Sequence, residues 1–153
     1  MLNYEKKYNL YYLCSVVECL GRMTNNKRDY IVKKLGTENI KYIYDNAQIF
    51  NCKPIEEVCE KIIKECNIKD GVYFLKDYCF DEPPRALSIG KLYGKLIVKL
   101  LEEENYNNSV IDKTIEVLSS WLVLKITNFN NILFMCVLDY LKECYIQGEL
   151  LDY

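Results

Sequence analysis

The sequence predicts an all-α protein, a single compact bundle of about seven helices over residues 1–153. Three observations predict it. Apolar residues recur every three to four positions in six or seven separate segments, the spacing of one helix face. Only residues 72–82, V-Y-F-L-K-D-Y-C-F-D-E, lack that rhythm, which makes them the one candidate for an irregular or short extended segment. No internal repeat, low-complexity tract or linker divides the chain, and 153 residues bury a core without staples.

In chain order, Leu10, Leu13, Cys14, Val17 and Leu20 form the first inward stripe, with Gly21 placed as a C-cap. Asn26 is placed to cap a second helix carrying Ile31, Val32 and Leu35, which stops at Gly36. Thr37 then caps a third, with Ile40, Ile43, Tyr44 and Ala47 inward. Pro54 suits the first turn of a fourth helix, with Glu56 and Glu57 near its positive end and Lys61 and Lys64 further along. Pro83-Pro84 punctuate before a fifth, in which Ile89, Leu92, Tyr93, Leu96, Ile97, Leu100 and Leu101 keep the period. Ser109 with Asp112 resembles a capping box for a sixth helix, lined by Ile111, Ile115, Leu118, Leu122 and Ile126. The seventh carries Leu133, Val137, Leu141 and Cys144 before Gly148.

The eight cysteines raise the question of a metal or redox site. Cys52, Cys59 and Cys66 fall seven apart, but Cys59 and Cys66 share a stripe with Ile55, Val58, Ile62 and Ile63, where a thiol acts as a small hydrophobe. Zinc sites draw on C-x-x-C pairs, and the closest pair here, Cys14 and Cys19, is five apart. No metal or cofactor is expected. Cys79, in the irregular segment, is the thiol to test for reactivity.

The absence of histidine removes the usual base near neutral pH, the Ser-His and Cys-His pairs and the commonest metal ligand. Gly90, Lys91 and Gly94 do not make a phosphate loop. Ala86, Gly90 and Gly94 fall four apart, a spacing that lets another helix come close. No catalytic residue is assigned.

Net charge is −2, so no global basicity argues for nucleic acid. The Asn, Lys, Ile and Tyr usage resembles coding bias in low-GC bacteria, their phages or large DNA viruses. The opening M-L-N-Y-E-K-K-Y lacks the order of a signal peptide. The apolar run 132–138 is far shorter than the ~20 residues a bilayer needs. A cytoplasmic location with reduced thiols and no membrane contact is the expectation.

Two basic groupings are candidate binding surfaces: Arg22, Lys27 and Arg28, with Lys33 and Lys34 beyond them, and Arg85, Lys91 and Lys95, continued by Lys99. A solvated helix face is the more ordinary reading of both, and an anionic partner, an acidic protein surface or nucleic acid, is the sharper one. The stretch 29–44 has a helix–Gly–helix look, but the would-be recognition helix holds one lysine against two acids, a poor match to base readout.

The stretches V-E-C-L-G-R-M-T-N-N-K-R-D-Y-I-V-K-K-L-G (17–36), S-I-G-K-L-Y-G-K-L-I (88–97) and G-E-L-L-D (148–152) resemble a family of small uncharacterised bacterial proteins. That family is encoded beside ADP-ribosyltransferase-fold genes, in a setting like toxin–antitoxin cassettes. The matching positions are Gly21, Arg22, Arg28, Ile89, Gly90, Lys91 and Tyr93. The resemblance implies a protein partner rather than a reaction. The leading expectation is therefore a non-enzymatic interaction module, an antitoxin-like or accessory partner of an operon-encoded protein. The alternatives are nucleic-acid binding through 22–34, or a viral or phage modulator of Bcl-2-like or defence-inhibitor type, which would expose an apolar groove for an amphipathic helix.

Overall fold

The computed structural model describes residues 1–152. Among them the chain forms α1 (Tyr4–Thr24), α2 (Arg28–Asp45), α3 (Ala47–Phe50), α4 (Ile55–Glu65), α5 (Ala86–Glu103), α6 (Val110–Leu118), α7 (Trp121–Ile126) and α8 (Leu138–Gln147), with no strand. The segment 72–82 contains one 3-10 turn, Leu75–Asp77, and is otherwise irregular.

Helix α1 is the post of the bundle. Asn3 caps it by accepting the Lys6 N–H at 2.9 Å, and from Leu10 to Leu20 every side chain but Tyr11 is buried. It is packed by α5, α2, α4 and α3, so a single inward stripe understates it. The main seam is with α5, and glycines make it possible. A Cβ on Gly90 would lie 2.5 Å from both Cα and N of Ser15, and one on Gly94 would lie 2.3 Å from Cδ1 of Tyr11. Only a residue without a side chain permits that approach.

Four local expectations change. Gly21 is not a cap: α1 runs on to Thr24 and ends at Asn25, whose left-handed backbone (φ 56°) returns its N–H to the Gly21 carbonyl. Asn26 does not cap α2 either. It is buried, with Nδ2 donating to Thr24 Oγ1 at 3.0 Å and to the Lys69 carbonyl at 2.7 Å. The expected long sixth helix breaks at Ser119, because Ser120 accepts the Val123 N–H and starts α7 afresh. The expected seventh helix starts late: Leu133 sits in a 3-10 turn, Leu133–Met135, and Val137 is exposed.

Other local signals hold. Gly36 breaks α2 sharply (φ 72°, ψ 166°), Ser109 accepts the Asp112 N–H at 3.0 Å, and Gly148 ends α8 in the left-handed region. The irregular segment is not loose. The Gly71 and Tyr73 N–H groups donate to the carbonyls of Thr24 and Asn25, each at 2.8 Å, pinning it across the α1–α2 corner.

Candidate functional site: an apolar groove and a buried ion cluster

The second half of α2, α3 and α4 form three sides of a groove of about 630 Å³. Its floor is Leu35, Ile43, Val58 and Ile62, the inward residues of the α2 and α4 stripes. Its walls are apolar and open to water: Tyr42 is 59% exposed and Ile49 70%, and the Tyr42 ring meets Phe50 edge-on at 5.8 Å. Together with the groove they make an exposed apolar patch on this side of the bundle. The sequence explains the shape. The backbone at Gly36 redirects α2, and the four-residue α3 with Pro54 turns the chain back so that α4 runs beside it.

The α4 rim carries Lys53, Glu57, Lys61 and Glu65, charges of alternating sign at four-residue spacing. Lys61 and Glu65 approach to 3.8 Å across exposed side chains, an ion pair of small energetic weight. Lys53 and Glu57 have no ion-pair partner among the described residues.

The basic residues singled out from the sequence do not gather here. Lys27 is exposed, its ammonium 5.9 Å from the Tyr73 ring centre. Arg85 sits exposed at the N-cap of α5, and Lys91 and Lys95 project from the solvent face of that helix. Arg22 and Arg28 require correction as surface groups. Both turn inward onto Glu18, so the expected basic surface at 22–34 is left with Lys27, Lys33 and Lys34.

That inward turn builds a cluster around Glu18, a residue not among the expected binding groups. Glu18 is fully buried in α1. Its Oε1 accepts from Arg28 Nε and from the Tyr93 hydroxyl, both at 2.9 Å. Its Oε2 accepts from Arg28 Nη2 at 2.7 Å and Arg22 Nε at 2.8 Å. Arg28 Nη1 donates to the Asn26 carbonyl at 2.9 Å, and the Arg22 guanidinium lies 5.2 Å from the Phe129 ring centre. Gly21 makes room, since a Cβ there would fall 2.5 Å from Arg28 Nη1. Burial pushes the Glu18 carboxyl up, but the charges and hydrogen bonds of Arg28 and Arg22 outweigh it and hold the group below its ordinary value. Burial, and then the negative Glu18, push the Tyr93 phenol well above 10.0. A carboxylate with a depressed pKa and four donors already on it has neither the proton affinity nor the free lone pair of a general base. The cluster ties α1, α2 and α5 together.

Four of the eight cysteines, Cys14, Cys19, Cys59 and Cys144, are buried packing groups, and Cys52 is exposed. Cys14, Cys59 and Cys144 are fully buried, and burial raises the Cys14 thiol out of the reactive range. Cys59 on α4 meets Cys19 on α1, which with burial pushes the Cys59 thiol up. Cys79 is half-buried, its sulfur 2.9 Å from the Asp81 carbonyl oxygen. No three His, Cys, Asp or Glu side chains converge among the described residues, and no described helix is long and apolar enough to cross a membrane. Lys113, which the sequence reading passed over, is also buried, pairing with Glu104 at 2.5 Å and Glu116 at 3.0 Å at the α5–α6 turn. No family model, curated protein or solved structure matches the chain.

Proposed function

We propose that the protein is a non-enzymatic interaction module that receives an amphipathic helix of a partner protein in the groove between α2, α3 and α4. One observation carries the reading: a groove of about 630 Å³ whose apolar walls, Tyr42 and Ile49, stand in water beside a rim of alternating charge. Recognition of this kind uses apolar anchors at i, i+3, i+4 and i+7 on the bound helix. Helix α4 has 11 residues and at ~1.5 Å each runs about 16 Å, room for about three turns of a ligand helix. Its ladder Lys53–Glu57–Lys61–Glu65 selects a partner whose flanking charges alternate in the opposite order. In the antitoxin-like reading of the family resemblance, that partner is the neighbouring gene product, and the groove replaces the arginine surface as its docking place.

The test is co-expression with that neighbouring product, followed by titration of its amphipathic segments as peptides. The variant Ile49→Asp, at a position 70% exposed, is expected to weaken the complex by roughly a hundredfold while leaving the helical spectrum intact. Reversal of Lys91 and Lys95 is expected to change it little. A complex that ignores Ile49→Asp and is lost with Lys91→Glu/Lys95→Glu would overturn the groove as the docking site.

A further inference from the structure

On the side of the molecule where the irregular segment runs, a second concavity of about 530 Å³ lies between that segment, α7 and the chain that follows α7. Its lining includes Leu124, Ile132 and Leu133, two ammonium groups, Lys27 and Lys125, and, among the described residues, no carboxylate. Neither lysine has an ion-pair partner among the described residues. In a chain of net charge −2, an apolar hollow whose described charged residues are both cations fits an acidic, apolar occupant.

Such an object stands next to it. Tyr78 lines the hollow and stacks on Tyr73, ring centres 4.3 Å apart, and the chain leaves the hollow through Cys79 to Phe80-Asp81-Glu82. Phe80 is 90% exposed, and Asp81 and Glu82 are exposed without ion-pair partners among the described residues. The loop is held in place: the Phe80 N–H donates to Asn130 Oδ1 at 2.8 Å, and Pro83-Pro84 stiffen its exit. It therefore presents a phenyl ring flanked by two carboxylates and does not fold back into its own hollow.

We infer that the protein pairs with a second copy of itself about a two-fold axis, each copy's Phe80-Asp81-Glu82 loop seated in the hollow of the other between Lys27 and Lys125. A two-fold interface uses one patch on both subunits, which requires a projection and its complement side by side on the same face. The loop and the hollow share Tyr78 as their boundary and meet that requirement. The pairing covers two Phe80 rings and matches both sets of unpaired charges. The neighbouring Ile132 and Met135, 68% and 72% exposed, widen the apolar contact. This inference is independent of the α2–α4 groove.

Sedimentation equilibrium of the full chain is expected to show a monomer–dimer system. Phe80→Ser is expected to raise the dissociation constant by at least roughly tenfold. Asp81→Lys/Glu82→Lys and Lys27→Glu/Lys125→Glu are each expected to be monomeric where the parent is dimeric, because like charges then meet. An equimolar mixture of the two is expected to regain dimer, since each loop then finds a hollow of opposite sign. Carbodiimide coupling of the unaltered protein, read by mass spectrometry, is expected to join Asp81 or Glu82 of one copy to Lys27 or Lys125 of the other, with no dependence on a variant folding. A chain that stays monomeric up to about 1 mM refutes the pairing. So does a dimer indifferent to Phe80→Ser and to both reversals, or a mixture of helical variants that does not reassociate.

Discussion

Glu18→Gln keeps the shape of the side chain and removes its charge, leaving the guanidinium groups of Arg22 and Arg28 facing an amide. One of the two acceptor oxygens becomes an NH2 that meets an arginine donor to donor. Arg28 is 4% exposed and does not reach water without dragging the start of α2 with it. Breaking one partner of a buried ion pair costs about 3–5 kcal/mol, a large share of the ~5–15 kcal/mol that holds a domain folded. Unfolding entropy of ~2.1 cal/mol/K per residue gives about 0.3 kcal/mol/K for this length, so the melting temperature should fall by roughly 9–16 °C. Thermal melts followed by circular dichroism at pH 7 read this directly. Replacing the cluster together, Glu18→Leu with Arg28→Met and Tyr93→Phe, should recover much of the loss, because no uncompensated charge remains on the pair, no buried hydroxyl is left without its acceptor, and Arg22 is near enough to the surface to turn outward. A fall of less than about 2 °C for Glu18→Gln would show that the carboxylate is not the hub described.

The same cluster fixes the pH response. The Glu18 carboxyl lies below its ordinary 4.5 in the folded chain, so its contribution is complete above that value and is lost as pH falls through the folded value. The Tyr93 phenol is raised above 10.0, so its contribution is complete below 10 and is lost as pH climbs beyond it. Tyr12, pushed up to about 12 by burial, adds to that limb. Urea midpoints across pH should fall at both ends, with Glu18→Gln flattening the acid limb and Tyr93→Phe the alkaline one. An acid limb unchanged in Glu18→Gln would assign it to other groups. Gly90→Ala gains about 1 kcal/mol of helix propensity but drives a methyl into the Ser15 backbone at a cost of about 1–3 kcal/mol, so a net loss of up to about 2 kcal/mol is expected. A higher melting temperature for that variant would contradict the α1–α5 spacing.

The helices were legible in the sequence wherever one face is buried and the other wet, as in α4 and α5, since the period is then unambiguous. Ala86, Gly90 and Gly94 foretold a close helix neighbour for the same reason: their spacing puts them on one side. The period misled where a helix is enclosed. Helix α1 is buried nearly all round, and a rule that assigns charged residues to water placed Arg22 and Arg28 outside. A signal was present in V-V-E-C-L-G, a lone carboxylate inside an apolar run with Arg22 one turn on, which marks a buried charge that needs cations. The groove left no such trace. Its floor reads as ordinary core and its walls as ordinary surface, and only the turn at Gly36 and the return through Pro54 bring them together.

The seam between α1 and α5 joins pieces of chain that are made far apart in time. Helix α1 ends at Thr24, and the partner that covers it is complete only at Glu103. At ~5–20 residues per second, those 79 residues take about 4–16 s to emerge, during which the face of α1 that α5 covers has no lid. Helices α2 to α4 arrive first and shelter part of it, but the Ser15 and Tyr11 side stays open until the two glycines come off the ribosome. In the cell the exposed interval is set by the rate of translation, and the first helix made is among the last to be enclosed.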